Sequence, residues 1–455
     1  MLGLLTGLLT ACGATSDVDV ADRRSQSPIT LPDMNLFSGD PAPVIMRTNT
    51  TLASDFMALA FELESGRKLP VLSRFETPVT VRVTGNVPST LAPDLQRLLA
   101  RLRNEAGIDI RQIPASERAN ITIEVVNGPA MQRMVPNAAC FVAPRVSGWA
   151  EFRSGRRRTL GDWTTLRERK TMSIFLPDNV SPQEVRDCLH EELAQTLGPV
   201  NDMYQLADSV FNDDNFHTVL TGFDMMILRI FYDPRLRSGM TPEQVAARLP
   251  EIITGLNPSG GPVLSFSPTR TPPEWKAALT AALGGAKSPN QRRKSAARAV
   301  AIARAQGWTD NRMAFSLFAQ GRLALANDST LALASFLAAS EIYNSNPNTR
   351  LHAAYVAVQT SAYALSTGQP QAAVDQVNRY VDVALQAENA SLLATLLMIK
   401  SEALRSQGKT EDADIIRLDS LGWARYGIGS EQQVRRQLAE IAALAPRKSR
   451  RASGS

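Results

Sequence analysis

The stretch Cys188-Leu189-His190-Glu191-Glu192-Leu193-Ala194-Gln195-Thr196-Leu197-Gly198-Pro199-Val200-Asn201-Asp202 decides how this chain is read. Upstream, Asp178 or Ser181 offers an N-cap and Pro182 a first helical position, so the segment is expected to be a helix that ends at Gly198. On that helix Glu191 and Gln195 share one face a turn apart, while Glu192 is rotated by about 100 degrees. With Asn201 and Asp202 beyond the glycine, they make an oxygen-rich set that suits Ca2+, Mg2+ or Mn2+ better than Zn2+. The cofactor therefore stays open, with zinc disfavoured.

The order of groups resembles the active-site helix of a zinc metallopeptidase with its histidines replaced. Such a helix carries imidazoles at i and i+4, a glutamate at i+1 that activates the metal-bound water, and a glycine that turns the chain toward a third ligand. Here those places read Glu191, Glu192, Gln195, Gly198 and Asn201. The other register, His190-Glu191-x-x-Ala194, has alanine where the second ligand belongs and fails there. Glu192 is the candidate general base, with Glu191 beside it. Glu191, Gln195, Asn201 and Asp202 are the candidate cleft or metal-like groups. Met225 and Met226 are candidates for a methionine-turn floor, against the default reading of apolar methionines as core. His190 alone on a half-buried helix reads as structural. His217, in the polar run 212–217, reads as part of a side-chain-capped turn before it reads as a ligand.

Working outward, Leu52, Phe56, Leu59, Ala60 and Leu63 fall at helical spacing, with Gly66 placed to end that helix. Residues 78–83 alternate as a strand; Leu95, Leu98, Leu99 and Leu102 mark an amphipathic helix stopped near Gly107; residues 121–125 form the next strand. Short strands follow around 140–142 and at 172–176. The expectation is an α+β, zincin-like domain over residues 46–270.

From about Pro272 the pattern changes to alanine- and leucine-rich helices. Asn327 with Ala332, Gly368 with Ala373 and Gly408 with Ala413 each set a turn residue five positions before a small packing residue, and the small residues are 41 and 40 positions apart. This resembles tetratricopeptide helix pairs, whose standard period is about 34 residues. An all-α helical-repeat domain over 271–445 is expected, with an irregular bundle as the alternative.

Residues 1–9 are almost all apolar and run into Leu9-Thr10-Ala11-Cys12, which resembles a lipobox. Residues 1–12 are therefore expected to be a lipoprotein signal peptide, with Cys12 the lipidated residue and 13–45 a flexible tether. Of the 3 cysteines, Cys140 and Cys188 then remain, and a disulfide between them is expected in an oxidising compartment. The chain is expected to be exported, lipid-anchored to the bacterial envelope and facing the periplasm. With 44% hydrophobic and 20% charged residues the composition is that of a soluble globular chain. The net charge of +5 sits in clusters that read as solvated loops, and residues 446–455 as a disordered basic tail. No recognised nucleic-acid motif accompanies them, so nucleic acid is excluded as a partner.

Several motifs together resemble the bacterial family called domain of unknown function 2927. They are Ala60-Phe61-Glu62-Leu63-Glu64-Ser65-Gly66-Arg67, Arg74-Phe75-Glu76, Cys140, Cys188-x-x-Glu191-Glu192-x-x-Gln195-x-x-Gly198-x-x-Asn201-Asp202, and Leu228-x-x-Phe231-Tyr232-Asp233-Pro234-Arg235. The resemblance covers roughly residues 50–245. It implies a secreted or lipid-anchored domain with a zincin-like outline, and brings no activity with it.

Three functions compete. The favoured one is a degenerate, non-zinc metallopeptidase-like domain that binds polypeptide or cell-wall material in its cleft, with the helical repeats as a second surface and the membrane reached through lipid on Cys12. The second is an active hydrolase using Glu192 as general base, so catalysis stays open. The third is a purely structural envelope protein whose polar motif residues complete a buried hydrogen-bond network.

Overall fold

The computed structural model describes residues 31–37, 47–136, 138–154, 161–266 and 270–446. The expected signal peptide, Cys12, most of the tether and nearly all of the basic tail lie outside the described residues. From Pro32 onward the chain forms one compact unit.

Five strands, β1 (Val79–Gly85), β2 (Ile110–Gln112), β3 (Ile121–Val126), β4 (Phe141–Pro144) and β5 (Met172–Pro177), form one mixed sheet in the order β2-β1-β3-β5-β4. β1 runs parallel to β2 and β3, and β3 parallel to β5. The edge strand β4 is antiparallel to β5, with Phe141 opposite Phe175. Every position of β5 is buried, which is why it reads as a nearly continuous apolar run instead of an alternating one.

Around the sheet lie α1 (Asn49–Phe61), α2 (Leu91–Ala106), α3 (Gly128–Met134), α4 (Trp149–Arg153), α5 (Pro182–Leu197), α6 (Gly222–Phe231), α7 (Pro242–Ala246) and α8 (Leu249–Leu256). Leu95, Leu98 and Leu102 of α2, Leu52, Phe56 and Leu59 of α1, and Leu189, Leu193 and Leu197 of α5 share one core with the sheet. Each such leucine contributes roughly 1.5–3 kcal/mol by leaving water. Gly107 ends α2 in the left-handed conformation, φ 69°, as its position suggested. α1 stops earlier than expected, at Phe61. Glu62 instead bridges to Lys68, and Gly66, φ 79°, serves the turn between them.

The second half is all-helical: α9 (Pro273–Leu283), α10 (Pro289–Ala305), α11 (Asn311–Ala324), α12 (Ser329–Asn344), α13 (Arg350–Ser366), α14 (Pro370–Asn378), α15 (Val381–Gln386), α16 (Ala390–Ser406), α17 (Thr410–Gly427) and α18 (Glu431–Ala442). Successive helices pack on one another, α9 on α10, α11 on α12, α13 on α14 and α16 on α17. Ala332, Ala373 and Ala413 occupy the same place in the first turn of α12, α14 and α17, and all three are buried. The spacing read from the sequence is thus a repeated packing position. Gly368 and Gly408, φ 74° and 84°, make the turns before two of them.

The halves are joined by buried contacts. Phe216 packs against Phe315, Phe318 and Tyr355, Tyr204 meets Trp275 edge-on at 4.9 Å, and Tyr426 donates to Asp94 Oδ2 at 2.9 Å. Part of the expected tether is also held. Phe37 stacks on Trp423 at 4.7 Å, and the Asn35 N–H donates to the Gly422 carbonyl at 3.1 Å. The physical reason is Phe37 itself, an aromatic ring that gains by leaving water. No helix among the described residues is long and apolar enough to cross a membrane.

Candidate functional site

α5 begins as its sequence requires: the Ser181 hydroxyl accepts the Glu184 N–H at 3.2 Å, and Pro182 fills the first turn. A disulfide between Cys140 and Cys188 ties the helix to β4. At its other end the buried Arg169 guanidinium donates to the carbonyls of Gln195 and Gly198. It thereby meets acceptors that the last turn leaves open, and its charge faces the negative end of the helix dipole. Burial pulls the Arg169 pKa down to about 10, which leaves it charged at neutral pH. Gly198 has a packing role. A Cβ there would lie 2.7 Å from the Phe231 ring.

Beyond Gly198 the chain is fastened to α1 by two bonds, Val200 N–H to Leu59 O and Asn201 Nδ2 to Ala58 O, each 3.1 Å. Asp202 then meets two acids from other segments. Carboxylate oxygens of Glu64, Asp202 and Asp213 all lie within 4.8 Å of one another. Glu64 sits in the turn closed by Leu63 N–H to Arg67 O at 2.9 Å. Asp213 sits in a turn held by its neighbours, where Asn212 Nδ2 donates to Asp214 Oδ2 at 2.8 Å. Lys276 of α9 approaches Asp213 Oδ2 at 3.9 Å and the Asp202 carbonyl at 3.5 Å. A groove of about 430 Å³ opens here, with Glu62, Glu64, Asn201, Gln205, Arg270 and Lys276 among its walls.

These acids hold protons more tightly than carboxylates in water. Burial pushes Asp213 up to about 6, helped by Glu64 and opposed by Lys276. Glu191 is raised by burial and then by Glu192, Asp202 by burial and then by Glu191, with Asp213 and Glu64 adding to both. Glu192 is raised by burial and then by Asp202. Glu192 is only 5% exposed, and its Oε2, like Asp202 Oδ1, has no hydrogen-bond partner. Ionised together, such groups repel; a proton or a cation relieves them.

Residues 49–251 match the family described as Protein of unknown function (DUF2927). The chain carries a DUF2927 domain. No curated protein and no solved structure matches it. Inside the DUF2927 domain two of the quoted motifs meet as scaffold. Arg74 Nη1 donates to Phe231 O at 2.7 Å and Asp233 O at 3.1 Å, while its Nε reaches Glu76 at 3.2 Å. Asp233 is in turn paired with Arg235 at 2.7 Å. These residues lock the end of α6 beneath α5 and offer no reactive group to the groove.

The remaining candidates divide plainly. Glu191, Glu192 and Asp202 share one electrostatic neighbourhood, and Glu64 and Asp213 join it. Gln195 gives its main-chain carbonyl to Arg169, and Asn201 donates Nδ2 to Ala58 O while lining the groove. Of the expected set Glu191, Gln195, Asn201 and Asp202, Asp202 meets the carboxylates of Glu64 and Asp213, and Asn201 stands on the groove wall. Met225 and Met226 lie within α6, buried in the core, with no turn at that place. Glu64 and Asp213 were missed as site residues although both stood in polar runs already singled out. Nothing in either run says that the two turns face each other.

None of the three histidines joins the carboxylates. His190 Nδ1 accepts the Leu220 N–H at 3.1 Å, which assigns its proton to Nε2. Burial, then Arg186, Arg101 and Arg97, hold its pKa well below the ordinary value. It lines a second cavity of about 320 Å³, whose Arg97 and Arg101 are already paired with Asp94 and Glu105. His217 and His352 stand together, ring centroids 5.8 Å apart, where the helical half packs on the DUF2927 domain. The all-oxygen set at the groove does not fit a zinc-peptidase centre, which needs imidazole ligands.

Proposed function

We propose that the chain is an envelope lipoprotein, anchored through Cys12 and facing the periplasm, whose zincin-like domain has lost zinc-peptidase chemistry and binds peptide in its groove. The peptide is that of a polypeptide or of a cell-wall stem, and the tetratricopeptide-like helices offer a second surface. The observation that carries this reading is the carboxylate cluster beside a 430 Å³ groove that is free of imidazole. Its charge favours the amino groups of such peptides, and its donors cannot make the zinc-bound nucleophile of a peptidase. The mixed sheet, with an antiparallel edge strand beside the strand that leads into α5, supports the zincin-like outline. The Cys140–Cys188 disulfide supports an oxidising compartment.

Fluorescence anisotropy with a lysine-bearing peptide and a cell-wall stem peptide tests the reading. Saturable binding that weakens with salt and with Glu64→Gln, without cleavage by mass spectrometry, is expected; absence of binding to both probes overturns it. For the anchor, Cys12→Ala should move the protein from the membrane to the soluble fraction.

A second reading is favoured by one observation. Glu192 is buried, unpartnered at Oε2 and raised in proton affinity, which are properties of a general base. Peptide cleavage abolished by Glu192→Gln would put hydrolysis in place of simple binding.

A further inference from the structure

We propose that Glu64, Asp202 and Asp213 hold a hard divalent cation. The inference goes beyond peptide binding and stands without it.

Size supports it first. Carboxylate oxygens of the three acids all lie within 4.8 Å of one another, close enough for one ion to reach all three. The donor set supports it next, because oxygen ligands without thiolate or imidazole suit calcium, manganese or magnesium and leave zinc and copper to other sites.

The three acids arrive on separate segments, and each segment is fixed by bonds of its own. Glu64 rides on the turn closed between Leu63 and Arg67. Asp202 follows the Asn201 bond to α1. Asp213 precedes Asp214, whose Oδ2 meets His352 Nε2 at 3.0 Å. The ligands are therefore set in place by the fold before any ion arrives.

An independent observation points to a missing partner. Glu192, 5% exposed, has an oxygen that meets no donor, and Asp202 Oδ1 is equally bare. Buried polar atoms in a folded protein normally find partners, and Asp202 is the charge that bears on Glu192. Lys276, at 3.9 Å from Asp213 and also favouring the charged form of Asp202, is a single positive charge against several acids. A divalent ion between Asp202, Glu64 and Asp213 would satisfy Asp202 directly and lower the field at Glu192.

The test uses the full chain stripped with EDTA and titrated calorimetrically with CaCl2, MnCl2 and MgCl2. One saturable site per chain is expected. Glu64→Gln and Asp213→Asn should each weaken it at least tenfold, while Asp412→Asn, an exposed acid on α17, should leave it unchanged. Glu64 is exposed, so an unaltered circular dichroism spectrum for its variant separates lost binding from lost fold. No saturable binding of any of the three ions, equal affinity in Glu64→Gln, or the same loss with Asp412→Asn overturns the proposal. Peptide anisotropy repeated in EDTA keeps the two ideas apart. Peptide binding without ion binding sinks the cation site alone; ion binding without peptide binding sinks the proposed function alone.

Discussion

His352 Nε2 lies 3.0 Å from Asp214 Oδ2, and both side chains are shut off from solvent. The bond joins α13 of the helical half to the turn that carries Asp213, so the position of a candidate site residue depends on the helices. Asp214 also accepts the Asn212 amide and the Phe216 N–H, which makes it the centre of that turn. His352→Phe removes the donor and leaves a buried carboxylate oxygen short of a partner, at a cost of about 2–3 kcal/mol. Urea unfolding should show that loss. The groove should loosen with it, read as weaker peptide binding than in the wild type.

Gly198 illustrates a motif glycine kept for space. Its backbone, φ −171°, is open to any residue, but a Cβ would stand 2.7–2.9 Å from three carbons of the Phe231 ring. Phe231 is 1% exposed and packed on Phe56 at 4.7 Å, so it has nowhere to retreat. Gly198→Ala is expected to cost about 1–3 kcal/mol as an overpacking change. The double variant Gly198→Ala with Phe231→Leu should show a clearly less than additive loss in a double-mutant cycle. Additive losses would mean that the ring does not limit the site.

The disulfide closes a loop of 48 residues between β4 and α5. Constraint of the unfolded chain by a loop of that length is worth about 4 kcal/mol in the chain-entropy treatment. A Cys140→Ser, Cys188→Ser double variant should therefore unfold at markedly lower denaturant concentration. Reduction of the wild type should reproduce most of the shift.

Much of the architecture was legible because it is written in local periodicity. β1, β3 and β5, the α2 stripe of leucines and the Gly107 cap follow from spacing, and so does the recurrence of Ala332, Ala373 and Ala413. β2, three residues long, and α3, seven residues capped by Asn127, are too brief to leave a pattern. The site was half legible for a different reason. Glu191, Glu192 and Asp202 lie on or just after one helix, so helical geometry finds them. Glu64 and Asp213 reach them only through the packing of α1 and of the 212–215 turn. The bond from Asn201 Nδ2 to Ala58 O joins segments far apart in the chain, so no local pattern announces it.

His217 supplies a pH test that stands apart from the carboxylates. Burial first, then His352, pulls its pKa down to about 4, while Asp208 and Asp214 act in the opposite sense. Its Nε2 has no hydrogen-bond partner. Between about pH 6.5 and pH 4 the unfolded chain binds a proton at this residue that the folded chain refuses. The contribution of His217 to stability is thus complete above pH 6.5 and is lost as the pH falls toward 4, an effect of roughly 2–3 kcal/mol. Raised carboxylates act in the opposite direction over part of that range, so the informative quantity is the difference between wild type and His217→Phe, which keeps the ring and removes the titration. That difference, followed by urea unfolding from pH 7.5 to pH 4, should move in favour of the variant as the pH drops. A difference that stays flat would mean that His217 takes up its proton in the folded protein as readily as in the unfolded chain.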